Sequence, residues 1–151
     1  MRLVIQRVKE ASVRVDGTTV GQIKKGALVL FGVHKTDIPA YTLWMAQKLI
    51  GLRYFSDPQG KMNLSLQDIQ GEVLIVSQFT LYANCNEGRR PGFDNAAPGS
   101  IAKMLYEKFI EEVKQELKTV QTGIFGADME VSLINEGPVT FVIDYPFSKI
   151  A

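Results

Sequence analysis

Ala11-Ser12-Val13-Arg14-Val15-Asp16-Gly17-Thr18-Thr19-Val20-Gly21-Gln22-Ile23 decides the fold class. Residues 11–15 alternate small or apolar with polar side chains, the period-two pattern of a half-buried strand. Asp16-Gly17 is a strong two-residue hairpin turn, and Thr18 to Ile23 returns as the partner strand. The chain therefore opens on antiparallel sheet. A few residues on, Ala27-Leu28-Val29-Leu30-Phe31-Gly32-Val33 is a continuous apolar run, which fits a strand covered on both faces.

Helical spacing appears twice. Asp37 and Pro39 stand at a helix start, and Tyr41, Met45, Leu49 and Leu52, with Trp44 beside them, form an apolar stripe ending near Gly51. Ile101, Leu105, Phe109, Val113 and Leu117 recur every four residues, widened by Met104 and Val120. Pro98 and Ser100 lie at the start of this second helix, and Gly123 just past its expected end. Ser56 to Gly60 reads as a turn and Glu72 to Ser77 as a central strand. Met129 to Ile134 and Val139 to Ile143 read as two strands joined by Asn135-Glu136-Gly137-Pro138. The expectation is one domain over 1–151, α/β in class. It is a mixed fold, mostly antiparallel sheet of barrel-like form, with two main helices laid against it.

At 151 residues, such a domain buries about 68–70% of the surface its unfolded chain exposes, so a core alone can hold it. Apolar residues make up 46% and charged residues 22%, ordinary for a globular protein. Cys85 is the only cysteine, which excludes a disulfide within the chain and fits a reducing compartment. The N-terminus alternates polar and apolar residues and has no signal-peptide pattern. Apolar runs fall far short of the ~20 residues that span a bilayer. The expected location is the cytoplasm, with no membrane partner. A net charge of +1 and a pI near 7.8 argue against a protein that tracks a long nucleic-acid backbone. They leave room for a local contact with the end of an RNA. Lys24-Lys25 and Arg89-Arg90 are the adjacent basic pairs, read either as such a contact or as solvated loop charge.

Familiar hydrolytic equipment is missing. The sequence has one histidine, His34, and no ligand spacing for a metal, so no metal or other cofactor is expected. There is no Gly-x-Ser-x-Gly elbow and no glycine-rich phosphate loop. His34 with Cys85 or a serine would make a base–nucleophile pair, although a lone histidine at a strand end is more often structural. Two segments remain. In Ser77-Gln78-Phe79-Thr80-Leu81-Tyr82 an apolar strand runs into hydroxyl and amide groups. Such an end either satisfies its own turn or leaves backbone N–H groups pointing into a cleft, where they suit an oxyanion. In Asn135-Glu136-Gly137-Pro138-Val139-Thr140 the proline breaks or edges the sheet. On residues alone this reads as a hairpin turn, since only about 5–6% of X–Pro bonds are cis.

Together these two segments closely resemble the paired signatures of the bacterial and eukaryotic D-aminoacyl-tRNA deacylase family. The resemblance runs the full length, through Ile5-Gln6-Arg7-Val8, Gly88-Arg89-Arg90-Pro91, Ala96-Ala97-Pro98 and Thr122 to Met129. It implies a homodimer with active sites at the subunit interface, acting on the aminoacylated 3′ end of tRNA carrying a D-amino acid or glycine. It assigns Ser77, Gln78, Phe79 and Thr80 to the catalytic pocket. Gly137 and Pro138, joined by a cis peptide, become a chirality filter that one subunit inserts into its partner's pocket. Arg7 braces that filter, and Met129 lies in the stretch that holds the terminal adenosine. Within this picture the ribose 2′-hydroxyl assists attack by water while backbone N–H groups near Phe79 and Thr80 stabilise the oxyanion. Thr80 as a nucleophile is the other mechanism, and it lacks a base at suitable spacing. A nucleic-acid-binding module without catalysis is the alternative function. Members often carry serine where this chain has Gly92, which removes any hydroxyl contact that position would make.

Overall fold

The computed structural model describes residues 1–147; residues 148–151 of the expected domain lie outside them. Strand β1 (Arg2–Val15) is the spine. Its second half pairs with β2 (Thr18–Ile23) through the hairpin, and its first half with β3 (Gly26–Gly32), both antiparallel. Asp16 and Gly17 carry φ of 49° and 77°, the positive pair that a type I′ hairpin turn requires.

After α1 (Ala40–Gly51), the short strands β4 (Phe55–Ser56) and β5 (Met62–Leu64) pair with each other. Then β6 (Glu72–Ser77) joins β3 in parallel, and beyond α2 (Gly99–Glu116) strand β7 (Val120–Thr122) joins β6 in parallel. β8 (Glu130–Asp144) runs antiparallel along the other edge of β1. The sheet is thus mixed: antiparallel around β1, parallel across β3–β6–β7, with β2 folding back over β6 and β7 towards a barrel.

Both faces of this sheet are covered, which is why β3 and β6 read as unbroken apolar runs. One face places Leu3, Ile5, Val29, Phe31, Val73 and Ile75 against both helices. The opposite face turns Val13, Ile23, Leu28, Leu74 and Val76 into a second core inside the curved sheet. In α2 the buried positions are Ala102, Leu105, Tyr106, Phe109, Ile110 and Val113, a 3.6-residue stripe.

Three expectations are corrected. α2 stops at Glu116, because Thr119 and Val120 are taken by the sheet: the Val73 N–H donates to Thr119 O (3.1 Å) and Val120 pairs with Val73. Gly123 therefore follows β7 rather than the helix. Ile101 and Met104 are exposed, and Ser100 makes no cap; Pro98 occupies that position. Nor is Asp37 a cap for α1. Its carboxylate accepts the His34 N–H (2.7 Å) and pairs with the Met1 ammonium (2.7 Å). Finally, 135–138 is not a hairpin turn. β1 is long enough to pair with both expected strands, so the chain continues as one strand and bulges.

Candidate active site

That bulge is built around Arg7. Gln6 pairs with Thr140 and Val8 with Asn135, so residues 136–139 of β8 stand opposite one residue of β1. Pro138 has no N–H to give, and an inserted segment is where a ladder tolerates this. The lost ladder bonds are replaced by side chains. Asn135 Oδ1 accepts the Val139 N–H (2.8 Å) and Asn135 Nδ2 donates to Val139 O (3.1 Å). The amide thus closes the base of the bulge as a strand backbone would. Arg7, nearly buried, donates from Nε to Glu136 O (2.8 Å) and from Nη1 to Tyr54 O (2.8 Å). Gly137 has φ of 146°, and a Cβ there would lie 2.8 Å from the Val139 N and 3.3 Å from Arg7 Nη2. No other residue fits both demands. The Gly137–Pro138 peptide is cis, and both residues are exposed.

The second signature lies at the far end of β6. The Gln78 N–H donates to Phe31 O (2.8 Å) and is the last bond to the sheet. Phe79–Tyr82 then forms a single 3-10 turn. Leu81 and Ala83 bond back to Gln78 O (3.3 Å) and Thr80 O (3.0 Å). The N–H groups of Phe79 and Thr80, in the first turn, have no acceptor among the described residues. Gly32 lets this turn lie against β3, since a Cβ there would be 3.0 Å from the Leu81 Cβ. Behind it the Tyr106 hydroxyl donates to Ile75 O (2.8 Å), and burial pushes its phenol pKa up, so it remains a neutral donor.

Arg2 fixes the other end of the turn. It makes a two-pronged pair with Asp144 (2.8 and 3.1 Å), donates from Nη1 to Leu81 O (3.0 Å), and lies 5.4 Å above the Tyr82 ring. The hydrogen bond to Asp144 holds the guanidinium pKa above its usual value.

In front of the turn is a cleft of about 300 Å³. Its lining joins Phe31, Val33 and Val76 of the sheet to Ser77, Gln78 and Phe79 and to Phe125, Ala127, Asp128 and Met129. Ser77, Gln78, Phe79 and Met129 thus come together as expected. Thr80 sits outside the lining, exposed, and its Oγ1 accepts from Gln78 Nε2. Phe79 is 57% exposed and packs on Phe93 at 5.0 Å between ring centroids. Arg7, Gly137 and Pro138 do not line the cleft of their own chain. His34 is elsewhere, its Nδ1 2.8 Å from Thr36 Oγ1 and its ring edge-on to Tyr82, so it is no partner for Cys85 or Ser77.

Sequence reasoning singled out neither Asp128, which brings a carboxylate to the cleft wall, nor Asn135 and Arg2. Asn135 was visible only as a member of the second signature, and Asp128 only within the Thr122 to Met129 stretch of the resemblance. Arg2 belongs to the Met1-Arg2 start of the family resemblance, but its pairing with Asp144, 142 positions away, left no mark in the sequence.

A mixed, nearly closed sheet with a cleft at one strand end and a side-chain-braced bulge on the outer strand defines a specific class. The model of the D-Tyr-tRNA(Tyr) deacylase family matches residues 4–144, and the chain belongs to that family. Two similar relatives are D-aminoacyl-tRNA deacylases. That of Geotalea uraniireducens is 56% identical over 99% of this chain and 96% of its own. That of Thermosipho africanus is 57% identical over 95% and 97%. Among solved structures, a c-Myc DNA unwinding element binding protein superposes with a TM-score of 0.92 at 37% identity, covering 97% of this chain and all of its own. A probable eukaryotic D-amino acid tRNA deacylase shares the fold, with a TM-score of 0.80 at 18% identity over 94% of this chain and 98% of its own.

Proposed function

We propose that the protein is a D-aminoacyl-tRNA deacylase: it hydrolyses the ester between tRNA and a D-amino acid, or glycine mischarged on alanine tRNA, in the cytoplasm. The observation that carries this reading is the pair of unpartnered N–H groups, Phe79 and Thr80, beside a cleft lined by Ser77, Gln78 and Met129. The ester carbonyl sits over these donors, which stabilise the oxyanion as it forms. Met129 packs on the terminal adenosine. The neighbouring ribose 2′-hydroxyl assists the attacking water, and positioning supplies much of the remaining acceleration.

Discrimination belongs to Gly137–Pro138. Its exposure, its bracing by Arg7 and Asn135, and its absence from the lining of its own cleft support a filter inserted into a partner's cleft within a homodimer. Rejection is then steric: an L side chain meets the rigid Pro138, a D side chain points away, and glycine has nothing to reject. The unpaired outer edge of β8, where Ile134 and Val142 are exposed, supports the same assembly.

The test is to incubate the purified protein with matched D- and L-aminoacyl-tRNA and measure free amino acid. Release from D alone fits the proposal, and equal release or none refutes it. A second reading, nucleic-acid binding without catalysis, draws on the c-Myc DNA unwinding element binding protein at TM-score 0.92. The net charge of +1 weighs against it. Tight, salt-sensitive binding with no deacylation would favour it.

A further inference from the structure

The loop between the 3-10 turn and α2 has a use that the cleft alone does not explain. Asn84 and Gly92 pair as an isolated antiparallel bridge, with N–H to O distances of 2.8 and 2.9 Å in the two directions. The Asn86 N–H donates to Asn84 Oδ1 (3.0 Å), which tightens the first arm. Residues 85–91 are thereby pinched off as a tongue, exposed along its length. Its base is fastened to the cleft, because Phe93, next to the bridge, packs on Phe79.

At the tip stand Arg89 and Arg90, with Glu87 on the same tongue. Neither arginine makes an ion pair or a side-chain hydrogen bond among the described residues, whereas Arg2, Arg7, Arg14 and Arg53 all donate to protein acceptors. Two adjacent unpaired guanidiniums on a chain of net charge +1 concentrate positive potential at one place, on a tongue whose base packs against a cleft residue. The other adjacent basic pair, Lys24-Lys25, lies in the β2–β3 turn, where the Lys24 N–H is bound by Glu72.

We propose that Arg89 and Arg90 form a phosphate-binding site for the single-stranded end of the RNA whose last nucleotide occupies the cleft. The proposal rests on the deacylase reading above. Guanidiniums suit phosphate oxygens because they offer paired, permanently charged donors. Reach fits as well. An arm of three residues extends ~10 Å at ~3.3 Å per residue, enough to meet phosphates close to the terminal nucleotide. The tongue therefore grips phosphates a few nucleotides before the ester, and it contributes to binding rather than to the chemical step.

The experiment compares two substrates bearing the same D-amino acid: intact tRNA, and 3′-aminoacyl-adenosine, which has no phosphate. The double variant R89Q/R90Q is expected to raise KM for tRNA about ten-fold or more with kcat little changed, and to leave hydrolysis of the nucleoside unaltered. The slope of log affinity against log salt should flatten by about 1.4, or ~0.7 for each single-strand phosphate lost. K24Q/K25Q should do neither. Equal losses on both substrates, or no change on tRNA, would overturn the proposal. Binding of an uncharged single-stranded RNA with the tRNA 3′ sequence provides a readout without turnover. If R89Q/R90Q weakens that binding while the unaltered protein cleaves neither substrate, the phosphate site stands and the deacylase reading falls. If binding is unchanged, the phosphate site falls.

Discussion

Replacing Arg7 by methionine tests the central claim that a side chain, not the ladder, holds the Gly137–Pro138 bulge. The substitution keeps most of the apolar stem and removes two charged donors, one to Glu136 O and one to Tyr54 O, both at 2.8 Å. Hydrogen bonds from a charged group contribute about 1.5–3 kcal/mol each. The Glu136 carbonyl is half-buried, so water partly replaces one of them, and the expected loss is about 3 kcal/mol. For a chain of this size 1 kcal/mol corresponds to about 2–4 °C in Tm, so the melting point should drop by about 6–12 °C at fixed protein concentration. Arg7→Lys retains a cation but not the fork and should lose roughly half as much. The bulge is also held by Asn135, so R7M and N135A should couple by at least ~0.5 kcal/mol in a double-mutant cycle. Deacylation at 20 °C, where each variant remains folded, reports function: activity on D-substrate should fall and discrimination against L-substrate should narrow. A Tm loss under 2 °C would refute the anchoring argument. A large Tm loss with unchanged D/L discrimination would sever the bulge from selectivity.

Thr80→Ala removes the hydroxyl and keeps the N–H, so more than a tenth of the turnover should survive; loss of all turnover, with a 2′-deoxy substrate still cleaved, would make Thr80 the nucleophile. Asp128→Asn should likewise retain most of its kcat, and a hundred-fold fall, the scale of general-base catalysis, would identify a protein base that the RNA-assisted mechanism does without. Arg2→Ala frees Leu81 O and unpairs Asp144, and a several-fold loss of kcat with KM little changed is expected, partly restored in Arg2→Lys. Light scattering at micromolar concentration should give about twice the chain mass of 16.8 kDa, and a fully active monomer would remove the cross-subunit filter.

What the sequence made legible follows from where local pattern and tertiary structure agree. The β1–β2 hairpin, β3, α1 and β6 lie close to where alternation, apolar runs and turn chemistry put them. There a strand's two faces or a helix's stripe meet one environment along their length. Disagreement arose where long-range pairing competed. Val120 continues the apolar spacing of α2, yet hydrogen bonding beside Val73 draws it into the sheet. The segment Asn135 to Pro138 has the composition of a hairpin turn. The length of β1 allows it to be a bulge instead, and that length is hidden because Lys9-Glu10 interrupts the alternation. The residues alone drew attention to Ser77 to Phe79 but left a self-satisfied turn open, because free backbone N–H groups leave no mark on composition. Met129 entered only through family resemblance. The pairing of Arg2 with Asp144 was invisible for the simplest reason, a separation of 142 positions closed by one sheet.

The two signatures also obey different physical demands, and this explains their placement. An oxyanion site needs donors that the fold leaves unpaired, and the end of a strand entering a 3-10 turn supplies them without any special side chain. A stereochemical filter needs the reverse: a rigid, apolar projection whose every polar neighbour is satisfied. The outer strand suits that proposed role, since there the ladder is interrupted and repaired by one arginine and one asparagine. One chain carries both segments, but Gly137 and Pro138 do not line its own cleft. In the proposed homodimer, symmetric pairing would give each cleft a filter and each filter a cleft. On that proposal the N–H donors need no stereochemical preference of their own, and a pocket without a tailored side-chain recess would accept many D-amino acids while the partner's copy of the bulge refused their mirror images.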